Sequence, residues 1–332
     1  MNSLSRRSIL VGTALATIGL APRLSFADEA PASVKPNEPP KANDGYKLGP
    51  TEQFLYTTVM IRTLTEKGLQ GIATGFSFQL FNYEGKSVPI LVTNKHVIEG
   101  ALSGTIKFTT KNADGSPHLG KTKSFNLDQF STKWIPHPDP TVDLAVLPYA
   151  LVTEFQSEFE HLFYVSTDQS IIPTDEQLKD IGTIEDVLVV GYPDGIVDDL
   201  NNIPIFRKGI TATPASIDFN GKKEFFVDAA IYPGSSGSPV FLLNQSTWTN
   251  RAGQVSFGFR AMLLGIVWGV AHHPENGELK VIPAPTQRMV STTMIPNNLG
   301  ACIKSSRLLE FEPEFVRRGF NVPTGYKMRA AG

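Results

Sequence analysis

The sequence predicts an all-β fold, a sandwich or a pair of barrels, and three observations carry that expectation. From about residue 51, short β-branched and aromatic runs alternate with clusters of Gly, Pro, Asn and Asp, the pattern of many short strands joined by turns. Helical patterns are few and short. Neither an internal repeat nor a strand–helix–strand rhythm runs through the chain, which sets aside solenoids and parallel α/β folds. Some 250 residues of such text suit either all-β architecture. Composition alone does not choose between them.

The elements follow in chain order. Residues 1–27 read as an export signal. Arg6 and Arg7 precede an apolar stretch over 9–21, and Ser25-Phe26-Ala27 places small residues where a signal peptidase cuts. The apolar stretch is too short to span a bilayer comfortably, so no stable membrane span is expected once the signal is removed. Ser5-Arg6-Arg7-Ser8-Ile9-Leu10 resembles a twin-arginine signal; the alternative is an ordinary secretory signal with two arginines at its positive end. Residues 28–50 are rich in Pro, Lys, Asn, Glu and Asp and too poor in large apolar groups to offset their ordering entropy, so they read as a flexible linker. A folded domain is then placed at 51–300, with a junction between its two halves near 150–180, and a C-terminal extension at 301–332.

Strands are expected at 72–81, 88–93, 105–109, 143–147, 186–192, 224–231, 239–243 and 261–270. A short helix is expected after Thr174, a plausible N-cap. A C-terminal helix is expected over 305–318, interrupted by Pro313.

Bulk properties narrow the function. Apolar residues make up 41% of the 332, charged residues 19%, and the net charge is only −2. That balance supports a packed core and gives no basic face for nucleic acid. With one cysteine, Cys302, no intrachain disulfide can form, so an exported chain must be held by its core. The histidines show no metal-ligand spacing. No cofactor and no metal is expected.

Three short motifs carry candidate chemistry. In Leu91-Val92-Thr93-Asn94-Lys95-His96-Val97-Ile98 a histidine follows an apolar strand. Its pKa near neutrality suits general-base work, although a lone histidine there is more often structural. Asp143 opens the apolar run Asp143-Leu144-Ala145-Val146-Leu147 and on its own could be a turn residue. In Pro233-Gly234-Ser235-Ser236-Gly237-Ser238-Pro239, small residues flank a serine. A serine hydroxyl is a weak nucleophile that needs an adjacent base, and the charge its attack builds needs converging backbone N–H groups; the alternative is a plain Gly/Ser loop. Taken together in the order His, Asp, Ser, they fit a catalytic triad of His96 as base and acid, Asp143 as its orienter and Ser236 as nucleophile.

At these residues the chain resembles the trypsin-like serine proteases, and within them the protease domain of the bacterial high-temperature-requirement branch. Thr93-Asn94-Lys95-His96-Val97, Asp143 through Leu147, and Asp228-Ala229-Ala230-Ile231-Tyr232-Pro233-Gly234-Ser235-Ser236-Gly237 match its three motifs. Gly71-Ile72-Ala73-Thr74-Gly75-Phe76, Gly191-Tyr192-Pro193 and Leu264-Gly265-Ile266-Val267-Trp268-Gly269 resemble secondary landmarks. The resemblance covers roughly 51–290. It implies two antiparallel six-stranded barrels with the triad in the cleft between them. It also implies an oxyanion hole from the backbone of Gly234 and Ser236, and substrate contacts at Ala230, Val267, Trp268 and Gly269. Ala230 at the pocket floor offers no carboxylate for Lys or Arg, which favours a small or medium apolar residue before the cut; His272 and His273 would instead favour an acidic one. Ser235 stands where digestive relatives carry the aspartate that receives a freshly cut N-terminus, so activation by N-terminal insertion is not expected. Ser238 replaces a glycine.

The function expected is a serine endopeptidase acting on protein or peptide substrates through an acyl-enzyme, exported to a bacterial periplasm or beyond. The rivals are a catalytically silent module on the same fold, and an esterase or self-processing enzyme. An α/β-hydrolase needs Gly-x-Ser-x-Gly and the reverse order of triad residues, and the chain has neither.

Overall fold

Alternation of side chains along the strands builds two sheets and the layer between them. The computed structural model describes residues 48–156, 158–278 and 290–328, with side chains left undescribed at 156 and 271–297. The export signal, nearly all of the linker and the side chains of His272 and His273 lie outside the described residues.

The first sheet holds β1 (Thr58–Thr65), β2 (Gln70–Tyr83), β3 (Lys86–Thr93), β4 (Ala101–Lys111), β5 (Pro117–Asp128), β6 (Ile135–Pro136), β7 (Ala145–Pro148), β8 (Leu162–Phe163) and β9 (Thr167–Asp168). It is nine-stranded, in the order β5-β4-β1-β2-β3-β7-β6, with β8 on β4 and β9 on β2. The second half holds β10 (Asp186–Gly191), β11 (Ile205–Thr211), β12 (Glu224–Asp228), β13 (Pro239–Asn244), the hairpin β14 (Thr247–Thr249) and β15 (Val255–Phe257), β16 (Arg260–Glu278) and β17 (Val290–Lys304). Six of these close an antiparallel barrel in the order β10-β11-β12-β17-β16-β13.

The all-β class holds, while the expectation of two closed six-stranded barrels needs correction: one barrel closes and the other half is an open sheet. In that sheet the end strands β5 and β6 do not pair with each other. Closure depends on whether the last strand meets the first in register, and alternation within a strand does not report that.

Side-chain period two divides the core. On β3, Ile90 and Val92 face one cluster while Leu91 faces another; on β7, Leu147 joins Leu91 and Val146 joins Ile90. In the barrel, Val187, Val189, Val240 and Leu242 point into the interior with Cys302, whereas Val190 and Phe241 point outward. Those outward residues meet the first sheet in a shared layer with Phe76, Phe78, Ile90 and Val92. On the other face of the first sheet Gly75 is required by close packing, since a Cβ would lie 2.9 Å from Ile61 and 3.1 Å from Leu91.

The helices are short: α1 (Lys95–Ile98), α2 (Thr153–Gln156), α3 (Asp175–Asp180) and α4 (Glu312–Arg317). Thr174 caps α3 in a capping box with Gln177, as expected. At the C-terminus, Ser305–Phe311 is a 3-10 helix and α4 follows it with Pro313 in its first turn. Pro313 therefore begins a helix and does not interrupt one; its missing N–H has no partner to lose at that position. The boundary expected at 300 falls inside β17, so residues 301–304 belong to the barrel. No helix among the described residues is long and apolar enough to cross a membrane.

Candidate active site

Three strand ends meet at the seam between the sheet and the barrel. β3 stops at Thr93, and α1 gives one helical turn that presents His96. Asn94 and Lys95 tie this turn to the loop before β7. Asn94 Nδ2 donates to the Asp143 carbonyl at 2.8 Å, and Lys95 Nζ donates to the Pro140 carbonyl at 2.6 Å. The loop thereby sets Asp143 against the histidine. The backbone N–H of His96 donates to Asp143 Oδ1 at 2.9 Å, and His96 Nδ1 lies 2.5 Å from Asp143 Oδ2. The other ring nitrogen, Nε2, lies 3.0 Å from Ser236 Oγ. With Asp143 accepting at Nδ1, Nε2 is left as the acceptor toward the serine hydroxyl. The three predicted side chains are thus joined in one chain of hydrogen bonds, with His96 46% and Asp143 22% exposed.

Ser236 sits in a tight loop before β13. Gly234 and Gly237 both take positive φ, +88° and +84°, and a Cβ at either would strike a carbonyl oxygen, that of Tyr192 or of Thr74. The carbonyls from Pro233 to Ser236 are all engaged. Pro233 accepts from Asp194 N–H (2.6 Å), Gly234 from Thr74 Oγ1 (2.9 Å), Ser235 from Ser238 N–H (2.9 Å) and Ser236 from Thr74 N–H (2.9 Å). Neither the Gly234 nor the Ser236 N–H donates a hydrogen bond among the described residues. These are the two groups expected to form an oxyanion hole.

A family model described as "Trypsin-like peptidase domain" matches residues 73–248, just over half of the chain. The chain belongs to that family. The match takes in His96, Asp143 and Ser236 and ends before Val267. A search of curated proteins finds no match. Solved structures resembled by this peptidase domain include the HtrA-type protease AlgW with tripeptide, at 17% identity and TM-score 0.40, covering 80% of this chain and 62% of that one. The active form of the Rv3671c protease from M. tuberculosis matches at 16% and 0.41, covering 89% and 98%. Deg5 matches at 19% and 0.36, covering 65% and 81%. The chain thus spans less than two thirds of the AlgW chain.

The remaining expected contacts lie around the loop. Ala230 is exposed, and its carbonyl accepts from Arg207 Nη1 at 3.2 Å. Val267 is buried in the barrel core. Its N–H donates to the Ser238 carbonyl and its own carbonyl accepts from Gly237 N–H, at 2.9 and 2.8 Å. Val267 thus braces the loop that carries Ser236. Trp268 sits at a register shift in β16 and packs on the shared layer, and Gly269 has open space where a Cβ would lie. On the other side of the serine, a cavity of about 230 Å³ is bounded by His96, Ser236, Val97, Gln70, Ile72 and Ala73.

Sequence reasoning missed two residues here. Thr74 of β2 reaches across from the first sheet to hold the loop, and Arg207 of β11 lies beneath it. Thr74 stands in the Gly71–Phe76 landmark, which does not reveal its clamping role, and a lone arginine far along the chain carries no motif. Ser238 is accommodated because Gly191 faces it, where any Cβ would collide with Ser238 Oγ.

Proposed function

We propose that this trypsin-like peptidase domain is a serine endopeptidase that works through an acyl-enzyme. The observation that carries the reading is the continuous contact from Asp143 through His96 to Ser236, with Nε2 3.0 Å from Oγ. His96 Nε2 takes the hydroxyl proton as Ser236 Oγ bonds to the scissile carbonyl carbon. The carbonyl oxygen becomes an oxyanion, facing the N–H groups of Gly234 and Ser236. Collapse of that intermediate breaks the C–N bond, and the proton on His96 passes to the departing amine. A water then gives its proton to the same ring, attacks the ester and frees the acid, restoring Ser236 Oγ–H. Asp143 keeps Nδ1 protonated and stabilises the imidazolium in both halves.

Ala230, Trp268 and Gly269 are the groups we assign to the substrate's acyl side, with a small or medium apolar residue before the cut. The 230 Å³ cavity beside Ile72 and Val97 suits the departing side. The signal-like residues 1–27 support a place in the periplasm or the exterior of a bacterial cell.

Casein digestion tests the reading. The protein should produce new N-termini, and Ser236→Ala should lower turnover by about a millionfold. Unchanged proteolysis by Ser236→Ala would refute it. Hydrolysis of p-nitrophenyl acetate with casein untouched would replace it with an esterase, and no reaction with either would leave a binding module.

A further inference from the structure

Arg207 is a buried cation with no counter-ion among the described residues. It is 7% exposed, and its partners among the described residues are neutral oxygens. Nη1 donates to Ser235 Oγ at 2.6 Å and to the Ala230 carbonyl at 3.2 Å, and Nη2 lies 3.5 Å from Ser238 Oγ. Its Nε is buried with no acceptor. Burial pushes its pKa down to about 10, so it remains charged at neutral pH. A buried guanidinium facing only neutral groups is costly, and in this chain its three contacts all bracket Ser236.

The contacts are placed where they control the loop. Ser235 Oγ also accepts from Tyr232 N–H at 3.3 Å, while Ser235 N–H donates to Tyr232 and Ser238 N–H donates to Ser235. The segment from Tyr232 to Ser238 is therefore wound around the guanidinium. Thr74 holds it from the opposite side, through Gly234 and Ser238. The cation stands on the strand and the neutral hydroxyl that meets it on the loop.

We propose that Arg207 is a positioning residue that holds Ser235 and Ser238 so that the Gly234 and Ser236 amides stay free for the substrate's carbonyl oxygen, ordering the loop without cleavage of the chain. This rests on the endopeptidase reading above.

The test is the rate of modification by a fluorophosphonate probe, whose adduct places an oxygen among those amides, together with amide hydrogen exchange of 232–238. Arg207→Met should lower the maximal inactivation rate by roughly 10²–10³-fold, the scale of losing one oxyanion donor. The probe's half-saturating concentration should hold, and 232–238 should exchange faster. Arg207→Lys should recover part of the rate, and added methylguanidine should restore Arg207→Ala. Ser235→Ala, which leaves the cation in place, should slow labelling roughly tenfold and serves as the second variant if Arg207→Met fails to fold. Labelling of a folded variant within threefold of the parent, with unchanged exchange, overturns the proposal and leaves the endopeptidase reading intact. A parent protein that takes up no probe overturns both.

Discussion

On the proposed reading, the reactivity of Ser236 depends on neighbours that fix where its oxygen points. Gly237 gives the sharpest check, since a Cβ there meets the Thr74 carbonyl and φ is +84°. Gly237→Ala should cost well over ~1 kcal/mol, read as a fall in the thermal midpoint; a midpoint equal to the parent's would show that the loop tolerates a side chain. Much of the site was legible at this scale. His96, Asp143 and Ser236 stand in local contexts that each role requires, and the structure brings them into contact. Thr74 was not legible as a clamp, because its bond to Gly234 spans 160 residues of sequence. Arg207 was not legible because a charged residue at an inward strand position reads as an outward one.

That same residue explains one missed element. β11 was not expected from the sequence: its burial alternates with period two, but the charged Arg207 takes an inward position while the apolar Phe206 and Ile210 face outward. β5 escaped notice because it is a largely polar edge strand in which Phe125 and Leu127 are the buried apolar residues. β3, β7 and β13 were legible, since apolar residues face cores on both sides. The C-terminal helices bear on the loop before Asp143. The His137 side chain is fully buried, accepts from Asp139 N–H at Nδ1 and contacts the Arg307 carbonyl and Glu310 at Nε2. Burial is the largest influence and holds its pKa below the ordinary 6.5, with Arg307 also lowering it and the Arg307 carbonyl, Glu310 and Asp139 backbone opposing. The unfolded chain then binds more protons, so stability is full above about pH 6.5 and declines as pH falls from there. Asp139 is held below 3.8 by the Thr141 hydroxyl first, then by Thr141 N–H and Arg307. Its contribution is present above that value and is lost as pH falls below it. Thermal midpoints across a pH series should show both declines, and His137→Asn should remove the upper one. An unaltered series would count against this coupling.

At the scale of the whole molecule, the sheet and the barrel share one apolar layer. Tyr192, just past the end of β10, also donates from its hydroxyl to the Thr58 carbonyl of the first sheet at 3.2 Å. The all-β class was legible from strand-length runs and turn residues. Which half would close was not, because closure is a relation between the first and last strands of a sheet. The shared layer implies cooperative unfolding of the two halves. Phe241→Ala, which opens a void beside Phe54, should cost about 3–5 kcal/mol and lower one common calorimetric transition. Two separable transitions, of which only one moves, would mean that the halves fold independently.

Mapping the site of a fluorophosphonate adduct by peptide mass tests the central claim most directly. The expected result is one adduct, on Ser236, formed by the parent protein and lost when His96 is replaced by alanine. An adduct on another residue, or equal labelling of Ser236 without the imidazole, would contradict it.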